Sequence, residues 1–275
     1  MNNSMKRGGV LVFGMFAAMQ VQAQTPPPAR GQPEEKGWSF TLGGAALVMP
    51  EFEGSRNYKL RPLPLLEARY SNWASVSTRG GARIDVLAAT GRNETSYGRV
   101  SLGPLLRYRA GRSTSDNDAL RGFKSLDDAV EGGAFAGFAV GPWVAEIAYG
   151  QALNDDTHEG SLIDASIGYR MPLTERLAAR VGAKIGWASE NYMKNTFGLD
   201  AATARSSGLS TYSVSSGIKD AGLTAGGQYT LGSGWSLDMS LGYTRLLGDA
   251  ADSPLVAERG SRNQFMVGGG LAFRF

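Results

Sequence analysis

From Trp38 to the last residue, apolar side chains fall on every second position through runs of about ten residues, and each run ends in a turn or loop. Residues two apart share a face only in an extended strand, so this periodicity excludes a helical fold. In 235–244 Trp235, Leu237, Met239, Leu241 and Tyr243 oppose Ser236, Asp238, Ser240, Gly242 and Thr244. In 176–187 Leu177, Ala179, Val181, Ala183, Ile185 and Trp187 oppose Arg176, Arg180 and Lys184. Ten residues is the length a tilted strand needs to cross hydrocarbon.

Spanning helices are ruled out, because no segment after residue 23 approaches the roughly 18 consecutive apolar residues a helix requires. In lipid the remaining way to satisfy every backbone N–H and C=O is a sheet closed on itself. The expected fold is therefore all-β, a transmembrane antiparallel barrel of the outer membrane of a Gram-negative bacterium. The C-terminal stretch supports this: Phe265, Val267, Gly269, Leu271, Phe273 and Phe275 alternate with Met266, Gly268, Gly270, Ala272 and Arg274. A strand ending in an aromatic carboxyl-terminal residue resembles the signal read by the barrel assembly machinery.

The N-terminus is read as a cleaved signal peptide, residues 1–23. Lys6 and Arg7 precede an apolar run from Val10 to Met19, and Val21-Gln22-Ala23 supplies the small residues of a cleavage site. Residues 24–36 follow as a periplasmic leader, in which Pro26-Pro27-Pro28 opposes strand pairing. The barrel then occupies 37–275.

Eleven strands can be drawn, at 38–49, 60–70, 73–87, 97–110, 129–140, 143–152, 161–171, 176–188, 217–231, 234–247 and 263–275. Bacterial barrels have an even number with both termini in the periplasm. Short connections at Ser71-Asn72, Gly141-Pro142, Pro172 to Glu175 and Gly232 to Gly234 should be periplasmic. Long ones at 50–59, 153–160, 189–216 and 248–262 should face outward. The alternation is consistent from Trp38 through Asn72 and from Gly141 to Phe275, so one crossing is missing between 73 and 140. Twelve strands is the expected total, within a range of 10–14. The Gly103-Pro104 step and 111–128 are where the twelfth is sought.

Chemistry is sparse. The chain has no cysteine and one histidine, His158, in Asn154-Asp155-Asp156-Thr157-His158-Glu159. That spacing matches no metal loop, and the segment reads as a solvated outer loop. No strained Ser elbow accompanies the histidine, and no acid pair is fixed at glycosidase separation. No catalytic, cofactor-binding or metal-ligating residue is assigned; the chain is expected to be no enzyme and to need no cofactor. With 28 Lys+Arg against 25 Asp+Glu and no basic tail, nothing points to nucleic acid. Two inward rows are expected in the lumen: Arg176, Arg180 and Lys184 on one strand, and Arg79, Arg83 and Asp85 on another. They fit either a pore that biases small anions or a packed interior of paired charges.

The chain resembles the MipA/OmpV family. The resemblance runs through Gly43-Gly44, Pro50-Glu51-Phe52-Glu53-Gly54-Ser55 and Arg61-Pro62-Leu63-Pro64. It continues in Gly103-Pro104-Leu105-Leu106-Arg107-Tyr108, Gly111-Arg112 and Glu131-Gly132-Gly133. Later come Asn191-Tyr192-Met193, Phe197-Gly198-Leu199, Ser207-Gly208-Leu209, Tyr212, Gly248-Asp249-Ala250 and Ser253-Pro254-Leu255-Val256. Phe52 stands where many members carry tyrosine, and the ending Ala272-Phe273-Arg274-Phe275 departs from the commoner Tyr-x-Phe. The resemblance implies an outer-membrane scaffold or adaptor linking a murein hydrolase, a lytic transglycosylase, to a peptidoglycan synthase. A small-solute diffusion channel and a surface adhesin are the alternatives. Other expected partners are outer-membrane lipid, lipopolysaccharide and the assembly machinery, with the barrel itself a monomer.

Overall fold

The computed structural model describes residues 37–115 and 117–275. The expected signal peptide and leader, residues 1–36, lie outside the described residues.

Twelve antiparallel strands close into a barrel. They are β1 (Trp38–Pro50), β2 (Tyr58–Tyr70), β3 (Ala74–Ser77), β4 (Gly81–Ile84), β5 (Arg99–Arg109), β6 (Ala129–Val140), β7 (Trp143–Ala152), β8 (Ser161–Pro172), β9 (Leu177–Ala188), β10 (Gly217–Gly232), β11 (Trp235–Leu246) and β12 (Asn263–Arg274). Consecutive strands pair all the way round, and β12 returns to β1 with Thr41 opposite Arg274 and Val48 opposite Val267. The seam is extended by Phe275, whose N–H donates to Phe40 O while Phe40 N–H donates to Phe275 O, at 3.0 and 2.9 Å.

The alternation read from the sequence is the alternation of the wall. Phe265, Val267 and Leu271 are exposed on the outer face of β12, whereas Gln264 and Ala272 are buried inside. Aromatic side chains ring the periplasmic end: Trp38 packs on Phe40 and Tyr70, Tyr70 on Trp73, Trp143 on Tyr169 and Trp235 on Phe273. Amphipathic rings at this height are the usual anchor of a membrane barrel at its interface.

The missing crossing lies inside the segment read as the single strand 73–87, not at Gly103-Pro104 or in 111–128. That segment is a hairpin of two four-residue strands, β3 and β4. Alternation runs through both and masks the turn, although Gly80-Gly81, with Gly81 at φ +69°, is itself a turn signal. Four residues rise only about 13 Å, too little to cross the hydrocarbon. The register of β2 with β3 accordingly stops at Glu67 opposite Ser77, and Tyr58–Leu66 continues upward with no strand on that side. Thr78 blunts the first part of this edge: its N–H donates to Leu66 O at 2.9 Å and its hydroxyl to Pro64 O at 2.8 Å. Those bonds show that even-numbered residues of β2 turn their backbone groups toward the gap. Pro62 and Pro64 occupy two of these positions and have no N–H to leave unsatisfied there.

Below β4 the wall is completed by α1 (Val86–Ala89) and the loop to Gly98. Asp85 is the N-cap of α1, accepting from Leu87 N–H and Ala88 N–H. Asp85 therefore does not share a lumen face with Arg79 and Arg83, because the strand ends before it.

The outward connections carry α2 (Glu190–Phe197), α3 (Ala201–Ser207), α4 (Gly248–Asp252) and α5 (Pro254–Ala257). They form a packed lid over the barrel mouth. Phe52, Leu120, Phe123, Leu199 and Leu255, from four separate connections, make one buried cluster. Tyr192, Met193, Phe197, Ala250, Ala251 and Val256 make a second with Leu162, Ala188 and Leu246 of the strand ends. Each large apolar side chain buried in this way contributes about 1.5–3 kcal/mol. Cross-ties add direction: Ser253 Oγ donates to Phe197 O at 2.6 Å, and Arg259 Nη1 to Ala119 O at 3.2 Å.

Candidate functional site

The lumen is the candidate site, because the inward positions collect nearly all of the buried charge. Charges facing inward avoid lipid, yet they are still removed from water and must find partners. Arg83 of β4 pairs with Glu146 of β7 at 2.8 Å and lies 3.8 Å above the ring of Phe135. Arg107 of β5 pairs with Asp164 of β8 at 3.0 Å. Neither pair joins neighbouring strands, so each reaches over the strands between and straps the lumen.

Glu131 of β6 is the most enclosed charge, at 0% exposure. It accepts from Arg107 Nε, from Arg109 Nε at 2.5 Å, and from His158 Nε2 at 2.9 Å. Gly160 N–H donates to His158 Nδ1 at 3.2 Å, so Nε2 is the protonated nitrogen of a neutral ring. His158 also packs against Tyr192 at 4.8 Å between ring centroids. The reading of 153–160 as a solvated loop is thus corrected for the histidine: His158 is 5% exposed, while Asp155 and Asp156 remain in solvent. The loop folds back over Glu131, and its acidic composition concealed this.

A second network ties the lid to the strands. A β-bulge sets Ile218 opposite Trp187 but Asp220 opposite Gly186, so Lys219 is an extra residue in β10. The bulge turns two consecutive side chains, Lys219 and Asp220, into the lumen. Lys219 Nζ contacts Asp220 and donates to Glu53 Oε1 at 2.6 Å; Lys184 Nζ lies 3.3 Å from Asp220. Tyr192 of α2 donates its hydroxyl to Glu53 Oε2 at 2.7 Å. Burial pushes the Glu53 carboxyl up, but the Lys219 ammonium beside it wins and holds it below the usual carboxylate range. Burial and the Glu53 charge together push the Tyr192 phenol up.

Inward glycines leave space for these side chains. A Cβ at Gly150 would lie 2.9 Å from Arg107 Nη2 and from Glu131 Oε2, and one at Gly226 would lie 2.8 Å from Arg180 Nε.

Of the expected inward rows, Arg180 and Lys184 do face the lumen. Arg176 does not: it precedes β9 and is exposed in a periplasmic turn. Arg83 faces inward, and Arg79, although it belongs to the hairpin turn, also reaches the interior, where the charges of Asp238, Glu67 and Arg180 act on it. Glu53, Glu131, Glu146, Asp164, Lys219 and Asp220 were not singled out by sequence reasoning. Glu131, Glu146 and Asp164 stand at inward places of alternating strands, a signal that was available; Lys219 required the bulge.

Between lid and strapped lumen lies a cavity of about 140 Å³. Glu51, Glu53, Asp127 and Asp220 line it together with Arg61, Arg109, Arg112, Lys184 and Lys219. Glu51 accepts from the Asn117 amide. Among the described residues no group of three or more His, Asp or Glu side chains is placed to hold a metal ion.

Residues 42–275 match the family described as MltA-interacting protein MipA. No curated protein matches the chain. Among solved structures, an outer-membrane channel from Pseudomonas putida is similar at 11% identity, covering 89% of this chain and 98% of that one, with a TM-score of 0.42. The Neisserial surface protein A is 12% identical over 87% of this chain and 98% of its own, at 0.29. The N-terminal barrel domain of Pseudomonas aeruginosa OprF is 16% identical over 64% and 96%, at 0.27. At such scores the three likenesses carry no functional weight.

Proposed function

Because the chain belongs to the MltA-interacting protein MipA family and is an outer-membrane β-barrel rather than an enzyme, we propose that it is a scaffold, an adaptor of peptidoglycan metabolism. In this reading it holds a murein hydrolase, a lytic transglycosylase, near a peptidoglycan synthase. The family's name records an interaction with MltA; transfer of that property to this chain is our reading.

The observation that carries it is the strapped and lidded lumen. Pairs such as Arg83–Glu146 and Arg107–Asp164 cross the interior, and Glu53–Lys219 fastens the lid above them. A diffusion channel needs a continuous water-filled path, and holding charges against each other across the lumen works against one. Binding at the barrel's ends is what such a body offers. The periplasmic end presents short turns and one longer stretch, Asp85 to Gly98, where Val86 and Tyr97 are exposed.

The test immobilises the detergent-solubilised barrel and measures binding of a purified membrane-bound lytic transglycosylase and of a bifunctional synthase. Saturable binding that falls when Val86 and Tyr97 are both replaced by serine supports the scaffold. Absence of binding by either enzyme, with the barrel folded, removes it.

A further inference from the structure

We propose that the chamber beneath the lid is a binding site for a small oxyanion, a phosphate or short carboxylate. Its cations are unequally partnered. Lys219 is committed to Glu53 and Asp220, and Lys184 to Asp220. Arg112 differs from both. Its Nη1 and Nη2 donate to Thr196 O and Asn195 O at 2.7 and 3.2 Å, and carbonyls bring no countercharge. Its Nε is buried without an acceptor, as is Nη2 of Arg109, whose Nε alone is taken by Glu131.

Two guanidinium groups with buried, unused donors therefore line one cavity. A buried donor left without an acceptor is costly, and an anion supplies acceptor and countercharge together. Planar guanidinium forks fit carboxylate and phosphate oxygens better than any neutral ligand. Burial pulls the Arg112 guanidinium down to about 10, and the Glu53 carboxylate offsets this only in part. The cavity of about 140 Å³ holds a group of this size, given that roughly 10–15 Å³ by the same measure admits one water.

The site lies inside the lid, so lipopolysaccharide phosphates outside the wall do not reach it, and the ligand is a free solute anion. Nothing in this inference depends on the scaffold reading.

Isothermal titration of the refolded barrel with inorganic phosphate, and separately with succinate, tests it. Saturable one-to-one binding of at least one anion is expected, weakened about tenfold or more by Arg112→Gln and unchanged by Arg262→Gln on the outer surface. Should Arg112→Gln fail to give a heat-modifiable folded form, Arg112→Lys keeps the charge and loses the fork, and a several-fold weakening is expected. No binding of either anion to the wild-type barrel, or equal affinity in the wild type and whichever Arg112 variant folds, would overturn the proposal.

Discussion

Replacing Glu131 by glutamine removes one negative charge and almost no volume from the most enclosed point of the lumen. Arg107 keeps Asp164 at 3.0 Å, but Arg109 loses the carboxylate with which it is paired. At an effective dielectric of about 20, a unit pair some 4 Å apart is worth about 4 kcal/mol. Breaking a buried pair by removing one member costs about 3–5 kcal/mol, chiefly because the remaining charge is stranded. The two figures agree, so Glu131→Gln should destabilise the barrel by about 3–5 kcal/mol. Glu67→Gln is the comparison. Its pair with Arg69 lies at 28% and 23% exposure, and such a pair is worth about 0–1 kcal/mol. Equilibrium unfolding in urea, with the barrel in lipid vesicles and read by heat-modifiable gel mobility, measures both. A loss below about 1 kcal/mol for Glu131→Gln, indistinguishable from Glu67→Gln, would refute the view that the lumen is held by buried charge.

Deleting Phe275 removes the paired backbone bonds to Phe40 and the proposed assembly signal together; the heat-modifiable folded fraction in isolated outer membranes should fall at equal synthesis. Glu53 has a folded-state value below its ordinary 4.5, so its contribution is fully present above about 4.5 and is lost as pH falls through the folded value. Thermal unfolding should therefore show a wild-type advantage over Glu53→Gln at pH 6 that shrinks by pH 3; a constant difference would separate the lid from this ionisation. Thr78→Val takes away the hydroxyl that bonds Pro64 O and should cost about 1 kcal/mol, with hydrogen exchange rising first at the β3–β4 hairpin. Light scattering corrected for detergent should give the mass of a monomer, since the sheet closes on itself and the unpaired stretch of β2, Tyr58–Leu66, is blunted by Thr78, Pro62 and Pro64.

The wall was legible because lipid forces a simple code: alternate residues must be apolar, and ten of them make a crossing. Trp235 to Tyr243 follow that code without exception, and Phe265 to Phe273 break it only at Gly269. Strands β3 and β4 do not cross, so the length rule merged them, and only the parity of the strand count revealed an error. The lid was much less legible. Phe52, Leu120, Phe123, Leu199 and Leu255 come together from distant connections, and no local periodicity announces a contact of that kind. His158 illustrates the same gap, since an acidic stretch reads as solvated until the fold lays it over Glu131. The charged lumen falls between these cases. Inward alternation marks Arg180, Lys184, Glu131 and Asp164, but which acid meets which base depends on barrel curvature, and Lys219 depends on a one-residue bulge.

The central claim is that the interior is closed by paired charges under a lid, and ion conductance across a planar bilayer measures that directly. The reconstituted barrel, with its folded state confirmed by heat-modifiable mobility, should give a quiet baseline with no stepwise openings. Arg83→Ala with Arg107→Ala, which removes the two straps, should introduce openings in whatever fraction still folds. Steady, voltage-independent conductance steps from the intact chain would contradict the account and restore the diffusion channel.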